Sequence, residues 1–283
     1  MTLLRKRMLE DMQIRNFAES TQKRYLKSVT RFAKHFGKSP DRLGPEQVRQ
    51  YLLYLTTHGG TYSSWQASAA LRFFYTQTLG KNWKSLNHLF PKGESRLPII
   101  LSGEELARIF AAARKPKIRA LLMTAYSGGL RASEVVNLKT SHIDSERMQI
   151  RIEQGKGRKD RYVMLSPNLL KILREYWGKA RPRGEFLFPN NSTQKPFSTS
   201  WVLRALKRVA KNAGIKKKLT MHTMRHCFAT HLLEAGAGLR TVQLLMGHRS
   251  ILTTMRYLHI SQRTINEVPS PLDAVLEKFK QPQ

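Results

Sequence analysis

Two arginines, two histidines, a lysine and a tyrosine stand along this chain in segments that could meet at one phosphate. Gly129-Leu130-Arg131 comes first and Gly155-Lys156-Gly157 second, followed by His222-Thr223-Met224-Arg225, Met246-Gly247-His248 and Arg256-Tyr257. Such a set suits the transfer of a phosphodiester onto a protein tyrosine without a metal ion. Negative charge then builds on the non-bridging oxygens of a five-coordinate transition state, and fixed cations must meet it. Guanidinium offers a planar fork of donors that stays protonated, which makes Arg131 and Arg225 the candidates. A glycine break before Arg131 and His222 one turn from Arg225 are expected to hold them, His222 and Arg225 sharing a helical face. The nucleophile must leave a stable but reversible ester. A phenol, with an ordinary pKa of about 10, does so once its proton is removed or its anion stabilised. Tyr257 follows His248 on a short predicted helix whose inner face should carry Leu252 and Met255. Lys156, at a glycine-flanked tip, could reach a DNA groove and hand a proton to a leaving 5′ oxygen. Taken singly, each has an ordinary explanation as a surface arginine, a hairpin lysine or a core aromatic.

A zinc site is the rival for the histidines, since His226, His231 and His259 lie close by in sequence. The spacing opposes it: His222 and His226 make an i,i+4 pair without the intervening Glu of a His-Glu-x-x-His arrangement, and no third ligand is evident. Cys227 is the single cysteine, so an intrachain disulfide and a Cys-rich zinc site are both excluded. No cofactor and no metal are expected.

The balance of charge points to the partner. Lys and Arg number 50 against 19 Asp and Glu, for a formal net charge of +31, while 41% hydrophobic content is enough for ordinary cores. Residues 1–95 hold 16 basic and 6 acidic residues and the remainder 34 and 13, so the charge is spread over both halves. A surface of this kind is expected to meet double-stranded DNA rather than a membrane. No run of 18 apolar residues is present, and Met1-Thr2-Leu3-Leu4-Arg5-Lys6-Arg7 does not read as a signal peptide. A cytoplasmic protein is the expectation.

The elements that must position these residues are mostly helices. Tyr25, Val29, Phe32 and Phe36 predict one helix starting after Ser20; Gly44-Pro45 opens a second with Val48, Leu52 and Leu55 inside; Ala67, Ala70, Leu71 and Phe74 predict a third, closing near Gly80. Their other faces carry Lys23, Lys27, Arg31, Lys34 and Arg72, a set suited to DNA-backbone contact. Residues 90–98, with two prolines and a glycine, read as a linker. Ser102 and Glu105 form a capping box for the helix of Leu106, Ile109, Phe110 and Ala113. The next pattern, Ile118 to Ala125, breaks at Gly128-Gly129 and resumes through Arg131 to Leu138. From 148 to 165 the period shifts to two, predicting a β-hairpin around the Gly-Lys-Gly turn. Helical patterns return at 167–177, 200–213, 221–235, 239–246 and 251–259. Leu272, Val275, Leu276 and Phe279 predict a short amphipathic helix at the end. The fold class is mainly α with a small antiparallel β-sheet.

Gly129-Leu130-Arg131-Ala132-Ser133-Glu134, the Gly-Lys-Gly hairpin, His222-x-x-Arg225-His226, Gly247-His248 and Tyr257, in that order, resemble the tyrosine recombinase (phage integrase) family. The resemblance is detailed from about residue 97 onward and one of character only before it. It implies a helical core-type DNA-binding domain at 1–95 and a catalytic domain at 96–283. It further implies that Tyr257 attacks the scissile phosphate to give a 3′-phosphotyrosine while Arg131 and Arg225 bind its oxygens. His222 and His248 would assist proton transfer and hold the phosphate, Lys156 would act as general acid, and Glu134 would support Arg131. Met224, Cys227 and Met246 depart from commoner family residues without removing a reactive group. The implied function is site-specific DNA recombination, metal-free, by a homotetramer on synapsed sites of the bacterial nucleoid. The terminal stripe could fold back on its own domain or dock on a neighbouring protomer, and the linker would let the two domains clamp a duplex. A type IB topoisomerase-like enzyme shares the residues but works as a monomer, and an inactive DNA-binding protein would have lost at least one of them. Chromosome-dimer resolution and mobile-element movement stay equally open.

Overall fold

A computed structural model describes residues 2–59, 61–81, 83, 98–153 and 160–258. Most of the expected linker, the Gly155-Lys156-Gly157 turn, His259 and the terminal apolar stripe lie outside them. The chain divides into two compact units, Met1–Arg96 and Leu97–Gln283.

The first unit is helical. Three of its helices follow the apolar patterns: α2 (Glu19–Phe36), α3 (Pro45–Gly59) and α4 (Thr61–Phe73). Gly37, at φ 62°, ends α2 in the left-handed conformation that glycine adopts without a Cβ penalty. Ahead of them lies a helix with no counterpart among the three expected, α1 (Leu3–Ile14), whose N-cap is Thr2. Its buried residues are Met8 and Met12, one i,i+4 pair, too sparse a stripe to stand out among lysines and arginines. After α4 the chain widens into a π-helical turn, Phe74–Thr78, which places Phe74 and Tyr75 in the core beside Phe32 and Leu71. The Tyr75 hydroxyl donates to Pro40 O at 2.6 Å, satisfying a phenol that would otherwise be stranded. Lys23, Lys27, Arg31, Lys34 and Arg72 are all exposed.

The second unit begins as expected. Ser102 Oγ accepts from Glu105 N while Ser102 N donates to the Glu105 carboxylate, and α5 (Gly103–Ala112) follows. Then come α6 (Pro116–Ser127), α7 (Ala132–Val136), and a sheet of β1 (Ile143–Asp144), β2 (Gln149–Ile152) and β3 (Arg161–Met164). The sheet is antiparallel in the order β1-β2-β3, with Ile150 opposite Val163 and Ile152 opposite Arg161. Strand β1 adds an edge to the expected hairpin. It is two residues long, below what alternation can reveal.

Helices α8 (Pro167–Ala180), α9 (Thr199–Asn212), α10 (Met221–Glu234) and α11 (Leu239–Met246) follow among the described residues, with a single turn, α12 (Leu252–Met255), beyond them. Helix α10 is buried on nearly every side: Met224, Cys227, Phe228 and Ala229 are all core residues. The inner face expected for the last helix is wrong. Leu252 and Met255 are 72% and 40% exposed, and Thr254 is the buried residue instead. A four-residue turn has no stripe of its own, so the spacing argument had nothing to act on.

Candidate active site

Glu134 sits at the centre of the site. Its carboxylate accepts from Arg131 N at 2.8 Å, capping the start of α7, and from the Arg131 guanidinium at 2.7 Å. From β3, Arg161 reaches the same carboxylate with two parallel bonds of 2.9 and 2.8 Å, the bidentate geometry guanidinium favours. Arg225, on α10, approaches to 3.9 Å. Burial pushes the Glu134 carboxyl up, but the bonds from Arg161 and Arg131 outweigh it and hold the pKa at about 2.

Arg225 is held by backbone carbonyls rather than by a histidine, contrary to the expectation that His222 would fix it. One amino group donates to Gly129 O at 2.6 Å and the other to Met246 O. Each acceptor has a local cause. Gly129 adopts φ 57°, and a Cβ there would lie 2.3 Å from the Phe228 ring, so only glycine lets this turn present its carbonyl to α10. Met246 ends α11, where carbonyls have no intrahelical partner and the helix dipole favours a cation. Gly247, at φ 60°, closes that end with Gly247 N donating to Leu244 O and His248 N to Gln243 O. The Leu245 carbonyl in the same turn accepts from Arg161 Nε at 2.9 Å. Burial, with Arg131 beside it, lowers the Arg225 pKa from its usual value.

Arg161 is a member of this cluster that the sequence reading missed. Alternation marked it only as a hairpin position. In the fold, one side chain joins β3, the Glu134 carboxylate and the turn before His248. Its signal was present as a cation on the inward register of a half-buried strand.

The remaining expected residues gather around this cluster. His248 Nδ1 is 2.9 Å from Thr254 Oγ1, which ties the α11 end to α12. Tyr257 lies two residues past α12, is 2% exposed, and packs with Phe228, Ala229, Val242 and Met246. Its ring is parallel to His248 at 6.4 Å, and its hydroxyl oxygen is 2.8 Å from His226 Nδ1. Burial raises the phenol pKa against the pull of Arg225, Arg256 and Arg131. His222 opens to solvent one turn before His226; partial desolvation, then Arg225 and Arg131, lower its pKa. Thus Arg131, Arg225, His222, His248 and Tyr257 share one region of the second unit. Lys156 falls in the turn outside the described residues. Among the described residues, no group of three His, Cys, Asp or Glu side chains is arranged to hold a metal ion.

A buried carboxylate thus bonds Arg131 and Arg161 with Arg225 close by, and the Tyr257 phenol feels Arg225 and Arg131, an arrangement able to meet an anionic group. Residues 100–263 match the phage integrase family and residues 4–85 its N-terminal SAM-like domain. "Putative integrase/recombinase y4qK" of Sinorhizobium fredii is 48% identical over 96% of this chain and 89% of its own length. The tyrosine recombinase XerC of Pelotomaculum thermopropionicum is 33% identical over 88% and 89%. The crystal structure of XerA recombinase is 29% identical, covers 99% of this chain and 98% of its own, and superposes with a TM-score of 0.54. A lambda integrase dimer bound to a core site shares the fold, with a TM-score of 0.75 at 18% identity over 95% and 99% of the two chains. The chain belongs to the phage integrase family and is a tyrosine-type site-specific DNA recombinase.

Proposed function

We propose that Tyr257 cuts duplex DNA by attacking the scissile phosphate, forming a 3′-phosphotyrosine and releasing a 5′-hydroxyl. Arg131 and Arg225 hold the non-bridging oxygens, His222 and His248 bind the phosphate and assist proton movement, and Lys156 protonates the leaving oxygen. The cations are all side chains, so no metal takes part. The observation that carries this reading is the convergence of Arg131 and Arg225 on Glu134 with Tyr257 within electrostatic reach of both arginines. Charge needed in the transition state is thereby in place before substrate arrives, which is where such sites gain most of their effect.

DNA is the partner that the net charge of +31 favours, and residues 1–95 and 96–283 act as a core-type DNA-binding domain and a catalytic domain. Strand exchange needs four linked sites, so the working form is a homotetramer on two synapsed duplexes, placed on the nucleoid. The lambda integrase tetramer bound to a Holliday junction has this fold, which supports the reading.

A nicked duplex that loses its 5′-hydroxyl fragment on cleavage tests the proposal. The wild-type chain should become covalently joined to the 3′ phosphate in EDTA, and Tyr257→Phe should bind the duplex without forming the adduct. An adduct on the Phe variant, or strict dependence on added magnesium, would overturn it.

A further inference from the structure

His226 has no part in the reaction just described, yet its Nδ1 lies 2.8 Å from the Tyr257 hydroxyl oxygen. We propose that His226 is the proton acceptor for the nucleophile, taking the phenol proton as the Tyr257 oxygen bonds to phosphorus. The inference rests on Tyr257 being that nucleophile and adds a catalytic residue to the site.

Three observations carry it. The contact is a hydrogen bond between ring planes inclined at 50°, not a chance approach of two aromatics. Both partners are fixed: His226 follows the carbonyl-anchored Arg225 on the buried α10, and Tyr257 packs among Phe228, Val242 and Met246. Third, the surroundings keep the imidazole neutral. Partial burial, then His222, Arg256 and Arg225, draw its pKa down to about 4. The charged and titratable groups around it are therefore His222 and Arg225 on α10, and Arg256 and Tyr257 beyond α12. A neutral imidazole has one nitrogen free to accept. With the proton on Nε2, Nδ1 receives the phenol O–H.

His248 is engaged differently, through Nδ1 to Thr254, and His222 stands at the solvent edge. The hydrogen bond recorded for the phenol among the described residues is the one to His226. Burial is the larger cause of the low His226 pKa, and His222, Arg256 and Arg225 add to it. A DNA phosphate would answer only the part that the arginines contribute, so the hydrogen-bond geometry carries the assignment.

The step balances without a further reactant. The Tyr257 O–H bond breaks as O–P forms, and the proton moves to Nδ1. The P–O5′ bond breaks and its oxygen takes a proton from Lys156. On rejoining, an incoming 5′-hydroxyl loses its proton to Lys156, and the imidazolium returns its own to the departing phenol.

The test uses the full chain and single-turnover adduct formation on the nicked duplex. His226→Ala should bind DNA normally and form adduct on the order of 100-fold more slowly, within the range for a lost general base. His226→Asn can remake the hydrogen bond but cannot take the proton, and it should stay slow. Replacing Tyr257 in the Ala variant by difluorotyrosine, whose phenol sheds its proton more readily, should restore much of the rate. A duplex with sulfur at the bridging 5′ position, which needs no proton on leaving, should not. Wild-type rates in His226→Asn, or rescue by sulfur instead of by fluorination, would overturn the assignment. Should the Ala variant not fold, the Asn variant decides between the same outcomes. An adduct on Tyr257→Phe would instead remove the reading beneath it.

Discussion

Replacing Glu134 by Gln should destabilise the second unit in a way that depends on pH. Gln keeps the shape of the side chain and removes its charge, leaving Arg131, Arg161 and Arg225 close together without a carboxylate. The wild-type carboxyl falls from an ordinary 4.5 to about 2 in the fold. Its side chain is only 5% exposed, so solvent screening takes little from the effect. That difference corresponds to about 3 kcal/mol of stability. Because the folded value is the lower one, this stability is fully present above pH 4.5 and is lost as pH falls through 2. Less than roughly half should remain at pH 3. Urea denaturation followed by tryptophan fluorescence, with Trp177 and Trp201 reporting on this unit, would measure it. Wild type and variant should differ by about 3 kcal/mol at pH 7, within or below the cost of breaking a buried ion pair, and converge toward pH 2. A gap of equal size at pH 3 and pH 7 would refute the electrostatic origin, and a gap below about 1 kcal/mol at pH 7 would refute the ion-pair network itself.

Gly129→Ala should cost roughly 3 kcal/mol, combining left-handed backbone strain with a Cβ driven into Phe228; a melting temperature equal to wild type would show that the turn relaxes freely. Arg225→Lys should keep the charge but lose the two-carbonyl anchor, lowering cleavage at least tenfold while leaving DNA affinity close to wild type, as single-turnover assays and filter binding would reveal. DNA affinity should fall steeply with salt, the slope of log K against log[salt] being about −0.9 per phosphate neutralised; a flat dependence would mean that the surface cations do not meet the backbone.

Much of the helical fold was legible because long amphipathic patterns and their stops coincide. Tyr25 to Phe36 ends at Gly37, and the Ser102–Glu105 box opens α5 where composition changes. Helix α1 escaped because two methionines are its whole buried face, and β1 because two residues cannot alternate. The candidate residues were readable by type and order, since phosphate chemistry restricts which side chains serve. Their supports were not. Arg161 joins Glu134 to the Leu245 carbonyl across many tens of residues, and His226 meets Tyr257 only after α10 and the segment beyond α12 have packed. Backbone carbonyls, which no sequence displays, anchor Arg225.

The cluster around Glu134 also carries a surplus. One carboxylate meets three guanidiniums, so the fold keeps like charges close together with part of their repulsion unanswered. A phosphate placed among them would supply the missing counter-charge. DNA then acts as a structural ligand as well as a substrate: whatever binds the folded site more tightly than the unfolded chain raises its stability by mass action. The second unit should therefore resist proteolysis and heat better with DNA bound than without it, and the gain should shrink where the arginines around Glu134 are removed.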